Sequence, residues 1–264
     1  MEAIEYTRPS TIDDAVRSLT AAGARVLAGG TDLLVQLRGG YTRPALIVDI
    51  KGIAELCRVE QTARGFRVGA AVAGAELGAH QSFAQRWPGV VEAFQLIGST
   101  QIQGRASLGG NLCNASPAAD SVPALIAAGA HCTIAGPGGQ REAAVEDICT
   151  APGKTTLAVG EFIVDFLFPT PPAHTGDAYL RFIPRSEMDI AVVGASVCLT
   201  LDSAGVCTAA RVCLGAVAPR ALLVPAAGAA LVGTRVDDAA LARLAAAASA
   251  ACSPIDDKRG TIEY

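Results

Sequence analysis

The chain of 264 residues is 51% hydrophobic and 17% charged, enough apolar material for more than one core, so two domains are expected. Its 21 Lys and Arg stand against 25 Asp and Glu, a net charge of −4, and no basic run exceeds two residues, which excludes a nucleic-acid binder. The longest apolar run, residues 221–233, is broken by Pro225 and two glycines, so no membrane insertion is expected.

The eight cysteines form no Cys-x-x-Cys pair or Cys/His cluster and read as buried thiols. The first six residues lack the basic and apolar regions of a signal peptide, which places the chain in the cytoplasm. Ser10 or Thr11 caps a helix reaching about residue 22, and residues 25–28 read as a short apolar strand. Gly29-Gly30-Thr31-Asp32 follows at once. A helix over 33–38, stopped by Gly39-Gly40, then leads to a strand over 45–50. Such a βαβ unit carries its glycine-rich turn at the carboxyl end of the first strand, where the next helix's N–H groups suit a phosphate. The spacing is not Gly-x-Gly-x-x-Gly, and Gly136-Pro137-Gly138-Gly139 lacks a strand-to-helix context, so a dinucleotide-binding Rossmann domain is disfavoured. Taken alone, the turn reads equally as a helix cap through Thr31 or Asp32 and as a ligand loop.

Residues 66–70 read as a strand, 75–80 as a short helix, and Trp87-Pro88 as a turn into a helix near 90–94. The stretch from Arg105 to Pro123 is the densest in small and polar residues. Its adjacent Gly109 and Gly110 open the main chain to a ligand, with Ser107, Asn111, Asn114 and Ser116 as short hydrogen-bonding neighbours. For a bare Gly-Gly-Asn, a tight turn plus a capped helix is the competing reading. Asp120 stands as N-cap of a helix over 121–128, with Pro123 in its first turn and Gly129 as its stop.

From 131 to 168 short strands alternate with turns, at 132–135, 141–145 and 161–168, in an antiparallel pattern. Pro169-Thr170-Pro171-Pro172 is a stiff linker and sets the domain boundary. Beyond it, residues 179–185 and 188–194, then 195–201 and 206–214 about a turn at 202–205, give three strands in a meander. Val236-Asp237-Asp238 cap a helix from 239 to about 250, whose alanine-rich face packs on that sheet.

The string Ser107-Leu108-Gly109-Gly110-Asn111, then Ala115-Ser116-Pro117, Asp120 and Pro123, resembles the signature of the FAD-binding subunits of molybdenum hydroxylases, the family of xanthine dehydrogenase and carbon monoxide dehydrogenase. Gly29-Gly30-Thr31-Asp32-Leu33 resembles that family's Gly-Gly-Thr-x-Leu loop, at the family's spacing before the second loop. The resemblance implies an α+β fold in which residues 1–168 form a two-part FAD-binding domain of the vanillyl-alcohol-oxidase-like superfold. Its lobes, about 1–55 and 56–168, would be a small βαβ unit and a mixed or antiparallel sheet. A C-terminal domain over 173–264 would add a three-stranded antiparallel sheet and helices.

The resemblance also implies that FAD is held by Val26, Leu27, Ala28, Gly29, Gly30, Thr31, Asp32 and Leu33 of the first loop. Around the second loop it implies Ile102, Ala106, Ser107, Gly109, Gly110, Asn111, Asn114, Ser116, Ala119 and Asp120, with Ile163 a further contact. Ile97 and Arg181 would stand beside the flavin, although alone the first reads as core and the second as a surface strand residue. Gln103 and Gly104 replace an Arg-Asn pair of the relatives, so one contact at the loop's approach is lost or redirected. The family's chains continue past the region of Asp256 to Tyr264 into a last helix. The cysteine-rich insert of one branch is absent, so no metal site or cluster is expected within this chain.

His80, His131 and His174 are isolated in sequence, and neither a Ser/His/Asp grouping nor paired carboxylates appear, so no catalytic residue is assigned. The resemblance implies an electron-transfer subunit. A large molybdopterin-binding subunit would oxidise the substrate, and 2Fe–2S clusters of a small subunit would feed FAD, which passes electrons to an external acceptor, within a dimer of heterotrimers. The alternative is a self-contained FAD-dependent oxidase or reductase of the same superfold, for which the region after Pro172 is small. A non-catalytic module of the same fold is opposed by the intact loops.

Overall fold

The structure is a computed structural model, and it describes residues 4–186 and 188–264. The reading of the amino terminus rests partly on residues 1–3, and Glu187 falls between the strands expected at 179–185 and 188–194; these positions lie outside the described residues.

The first lobe contains β1 (Glu5–Thr7), α1 (Ile12–Leu19), β2 (Ala24–Leu27), α2 (Leu33–Arg38) and β3 (Leu46–Asp49). Its three strands are parallel, in the order β1-β3-β2. Thr11 is the cap of α1, its hydroxyl accepting from the Asp14 N–H at 3.1 Å, and the helix ends at Leu19 rather than near 22. Strand β1 has no apolar pattern to announce it. Its Glu-Tyr-Thr backbone pairs with β3, Tyr6 beside Ile47, along the sheet edge.

The second lobe begins with β4 (Val59–Thr62) and β5 (Gly65–Gly69), followed by helices α3 (Gly74–Ala79), α4 (Gln81–Arg86), α5 (Pro88–Gln95), α6 (Thr100–Gln103), α7 (Leu108–Asn114) and α8 (Ser121–Ala127). The chain then returns through β6 (His131–Gly136), β7 (Gly139–Ala144), the small hairpin β8 (Cys149–Ala151) and β9 (Lys154–Thr155), and β10 (Phe162–Pro169). Five of these strands form an antiparallel sheet in the order β4-β5-β10-β6-β7. Strand β10 is central and buried on both faces, which explains its unbroken Phe-Ile-Val-Asp-Phe-Leu-Phe run. On the helical side Phe66, Phe83 and Phe168 pack edge to face, with ring centroids 5.0–5.5 Å apart.

The segment expected as an open loop at 107–114 is the helix α7. Ser107 is a good N-cap, and its hydroxyl accepts from the Gly110 N–H at 3.2 Å. Leu108 and Leu112, four residues apart, put one helix face fully into the core.

Past the prolines come β11 (Thr175–Phe182), β12 (Val193–Leu201), β13 (Cys207–Gly215), β14 (Leu222–Leu223), α9 (Pro225–Ala229) and α10 (Asp238–Ala251). The antiparallel sheet has four strands, not three, because the two-residue β14 joins its edge. Residues 188–192, read as strand, lie outside β12. Asp237 caps α10 by accepting from the Ala240 N–H at 2.8 Å, and Leu244, Ala247 and Ala248 cover Val197, Val212 and Leu214. The opposite face, with Tyr179 and Cys213, joins the core of the second lobe through α5 and α8. All eight cysteines are free thiols. Among the described residues no helix is long and apolar enough to cross a membrane.

Candidate functional site

After β2 the chain turns sharply, and the turn is built for close approach. Gly30 has φ +80°, a conformation that penalises any side chain. A Cβ on Gly29 would stand 1.9 Å from the Arg105 carbonyl oxygen, so the first glycine-rich segment presses backbone to backbone on the approach to the second. Between the lobes these segments wall a cleft of about 480 Å³.

The N–H groups of Thr31, Asp32 and Leu33, at the start of α2, find no acceptor among the described residues. They form a helix N-terminus with unspent donors, the arrangement that binds anions. Asp32 does not cap its helix. Its carboxylate instead accepts from the Asn114 amide at 3.1 Å, and the Gln36 amide donates to the Asn114 oxygen at 3.2 Å, clasping α2 to α7. Burial pushes the Asp32 carboxyl up from its usual range.

The second segment contributes differently from the expectation. Gly109 donates to the Ala70 carbonyl at 3.2 Å, and the N–H groups of Gly110 and Asn111 both go to Ser107, so these donors are spent inside the protein. What faces the cleft is the bare surface of Gly110, where a Cβ would have only the Ser107 hydroxyl within reach, at 3.3 Å. Asn111 accepts from the Ser121 hydroxyl at 2.6 Å, which holds its side chain at the cleft wall.

Of the residues singled out by sequence, Val26, Ala28, Gly29, Gly30, Thr31, Asp32 and Leu33 line the cleft on one side. Ala106, Ser107, Gly109, Gly110, Asn111 and Asn114 line it on another, with Ile97 and Ile163 completing the wall. Leu27, Ile102, Ser116, Ala119, Asp120 and Arg181 are not among the lining residues. Ser116 closes a local turn by accepting from the Ala118 N–H at 3.3 Å, and Ala119 packs in the core.

Asp120 is not the helix cap that its position before α8 implies; its backbone is already helical and its side chain makes no capping bond. Instead it accepts from the Tyr179 hydroxyl and the Arg181 guanidinium, each at 2.9 Å, and Arg181 also donates to the Leu96 carbonyl at 2.8 Å. The Arg181 side chain is 4% exposed and that of Asp120 9%. A buried cation in reach of this carboxylate outcompetes a local N–H. Burial pushes the Asp120 carboxyl up, with Arg181 and the Tyr179 hydroxyl pulling against it, and burial with the neighbouring carboxylate raises the Tyr179 hydroxyl well above its usual range.

Gln103, one of the departures at the loop's approach, reaches back to the carbonyls of Gln95 at 2.6 Å and Ile97 at 3.3 Å. Of these two acceptors, Ile97 belongs to the cleft wall. Sequence reasoning missed the far wall, Thr155 and residues 157–162, and the strip of Leu19 and residues 21–25 from the end of α1 into β2. Neither has a charge pattern or motif, so composition gave no signal. His80 caps α4 by accepting from the Phe83 N–H at 3.3 Å.

Comparison with known proteins finds matches over nearly the whole chain. The model of the FAD binding domain in molybdopterin dehydrogenase matches residues 2–171, and that of the CO dehydrogenase flavoprotein C-terminal domain matches 178–264. The carbon monoxide dehydrogenase medium chain of Afipia carboxidovorans is 33% identical over 264 residues, 99% of this chain and 91% of that one. The xanthine dehydrogenase FAD-binding subunit of Escherichia coli is 35% identical over 218 residues, 81% of this chain and 74% of that one. The solved reconstituted CO dehydrogenase from Oligotropha carboxidovorans superimposes with a TM-score of 0.95 at 32% identity, covering 100% of this chain and 92% of that one.

Proposed function

The chain belongs to the family of FAD-binding subunits of molybdopterin dehydrogenases, and from that premise we propose that it is the electron-transfer subunit of a multi-subunit molybdenum hydroxylase. Electrons from 2Fe–2S clusters of a small partner reach its FAD and leave to an external acceptor, while a large molybdopterin-binding partner oxidises the substrate. The assembly is a dimer of heterotrimers in the cytoplasm.

One observation carries the reading: the unspent N–H groups of Thr31, Asp32 and Leu33 open on a cleft of about 480 Å³. That volume falls within the roughly 300–1,000 Å³ of ligand pockets, and an anion such as a diphosphate supplies the missing acceptors. The residues fit the cofactor. Gly29 and Gly30 let the main chain approach it, Asp32 and Asn114 hold the two walls together, and Ile97 and Ile163 offer apolar surface to an aromatic ring. When bound, FAD supplies the change between single-electron and paired-electron chemistry. The protein binds, orients and shields the cofactor; neither proton transfer nor covalent chemistry is assigned to a side chain.

We assign residues 1–168 to the FAD-binding domain, with lobes about 1–55 and 56–168, and 173–264 to the C-terminal domain. The division of the sheets on either side of the prolines supports this. Asp120 and Arg181 act at a distance in this scheme. They pin β11 to the end of α5 beside Ile97 and so set one wall of the cleft.

Flavin released from the purified chain tests the reading. FAD in equimolar amount to protein is the expected result. FMN, or no flavin after incubation with FAD, would overturn it.

A further inference from the structure

The turn that presents the unspent donors is held from behind by a charged group outside the cleft. Lys51 follows β3, and its ammonium donates to the Ala28 carbonyl at 2.6 Å and to the Asp49 carboxylate at 2.6 Å. The backbone N–H of Lys51 donates to the same Asp49 oxygen at 3.0 Å, and the Tyr6 hydroxyl donates to the other at 2.8 Å. Asp49 is almost fully buried, and the Lys51 side chain is 25% exposed. Burial pushes the Asp49 carboxyl up, but the Lys51 ammonium, the Tyr6 hydroxyl and the Lys51 N–H together hold it below the usual range. The Lys51 ammonium therefore bridges the Ala28 carbonyl and an Asp49 carboxylate that Tyr6 of β1 holds from its other oxygen.

The consequence follows from the planarity of the amide. In a trans peptide the C=O and N–H point in opposite directions. A carbonyl of Ala28 drawn back to Lys51 turns the Gly29 N–H the other way, and that N–H has no acceptor among the described residues although Gly29 lines the cleft. The same restraint fixes where Gly30 starts its φ +80° turn, and hence where the N–H groups of α2 point. We propose that Lys51, clamped by Asp49 and Tyr6, is a positioning residue that orients the Ala28–Gly29 peptide so that the donors of residues 29–33 are set for the diphosphate of FAD. The inference rests on the cofactor reading above, and Lys51 acts through Ala28 without touching the ligand.

The test measures binding of FAD and of riboflavin, which lacks the diphosphate, to the full-length flavin-free chain by quenching of flavin fluorescence. Lys51→Met should weaken FAD about tenfold, because the ligand must then order the Ala28–Gly29 peptide itself, while riboflavin binding changes by less than about twofold. Lys51→Arg should restore most of the FAD affinity. Because Lys51→Met leaves a buried carboxylate without its cation, the variant Asp49→Asn/Lys51→Met removes both charges and should show the same selective loss. Equal weakening of both ligands, or unchanged FAD affinity, in the double variant would overturn the proposal. A wild-type chain that binds riboflavin as tightly as FAD would instead defeat the underlying assignment of the loop to the diphosphate, whatever Lys51 does.

Discussion

Replacing Asp120 by Ala distinguishes a helix cap from a buried ion pair by magnitude alone. A lost cap costs about 1 kcal/mol. In the structure the same change would strand the Arg181 guanidinium, 4% exposed, with the Leu96 carbonyl at 2.8 Å and no countercharge. It would also take the acceptor from the buried Tyr179 hydroxyl. Removing one member of a buried pair costs about 3–5 kcal/mol, whereas replacing both with apolar groups is close to neutral. Asp120→Ala should therefore cost about 3–5 kcal/mol and Asp120→Ala/Arg181→Met far less, a coupling of at least about 2 kcal/mol in a double-mutant cycle. Guanidinium denaturation of the flavin-free chain reads this out through the fluorescence of Trp87, the single tryptophan, which is 2% exposed in the native core. A cost near 1 kcal/mol for Asp120→Ala, or a double variant as unstable as the sum of the singles, would refute the buried-pair reasoning.

Gly29→Ala places a Cβ 1.9 Å from the Arg105 oxygen and should both destabilise the fold and abolish FAD retention, seen by melting temperature and by flavin content. Gly110→Val meets only the Ser107 hydroxyl, at 3.3 Å for its Cβ, so melting should hold while FAD is lost; full flavin content in that variant would remove the second segment from the site. Asp177 accepts from the Val90 N–H at the start of α5, and burial pushes its carboxyl up to about 6, with the Gly89 and Val90 N–H groups opposing and Glu92 adding to the rise. Unfolded, it titrates near 3.9, so the native state holds the proton more tightly, and its contribution to stability is full below about pH 4 and is lost as pH rises through 6. The swing is about 3 kcal/mol. Denaturation midpoints from pH 4.5 to 8 should show Asp177→Asn gaining on the wild type as pH rises; parallel curves would contradict this.

Much of the fold is local in origin and was legible. Helix α2 over 33–38 follows from the Gly30 turn before it and the glycines after it, and strands β5 and β10 of the five-stranded sheet from their β-branched and aromatic residues. Strands β1 and β4 were hidden because short polar sequences become strands only when a neighbour offers its edge. The capping bond expected of Asp120 is absent for a related reason. Its partners Tyr179 and Arg181 lie some sixty residues onward, on a sheet that local propensity cannot bring near. The two glycine-rich segments were visible, yet their division of labour was not: only the backbone shows that the first has donors to give and the second has spent its own.

The central claim is that this chain carries electrons and does not itself oxidise a substrate. Its most direct test is stopped-flow spectroscopy of the FAD-loaded chain, mixed with candidate substrates of the hydroxylase, alone and together with the large and small partner chains. The expected result is a flavin that stays oxidised in the chain alone and bleaches once the partners are present. Bleaching by substrate in the isolated chain would contradict the claim and make it a self-contained flavoenzyme.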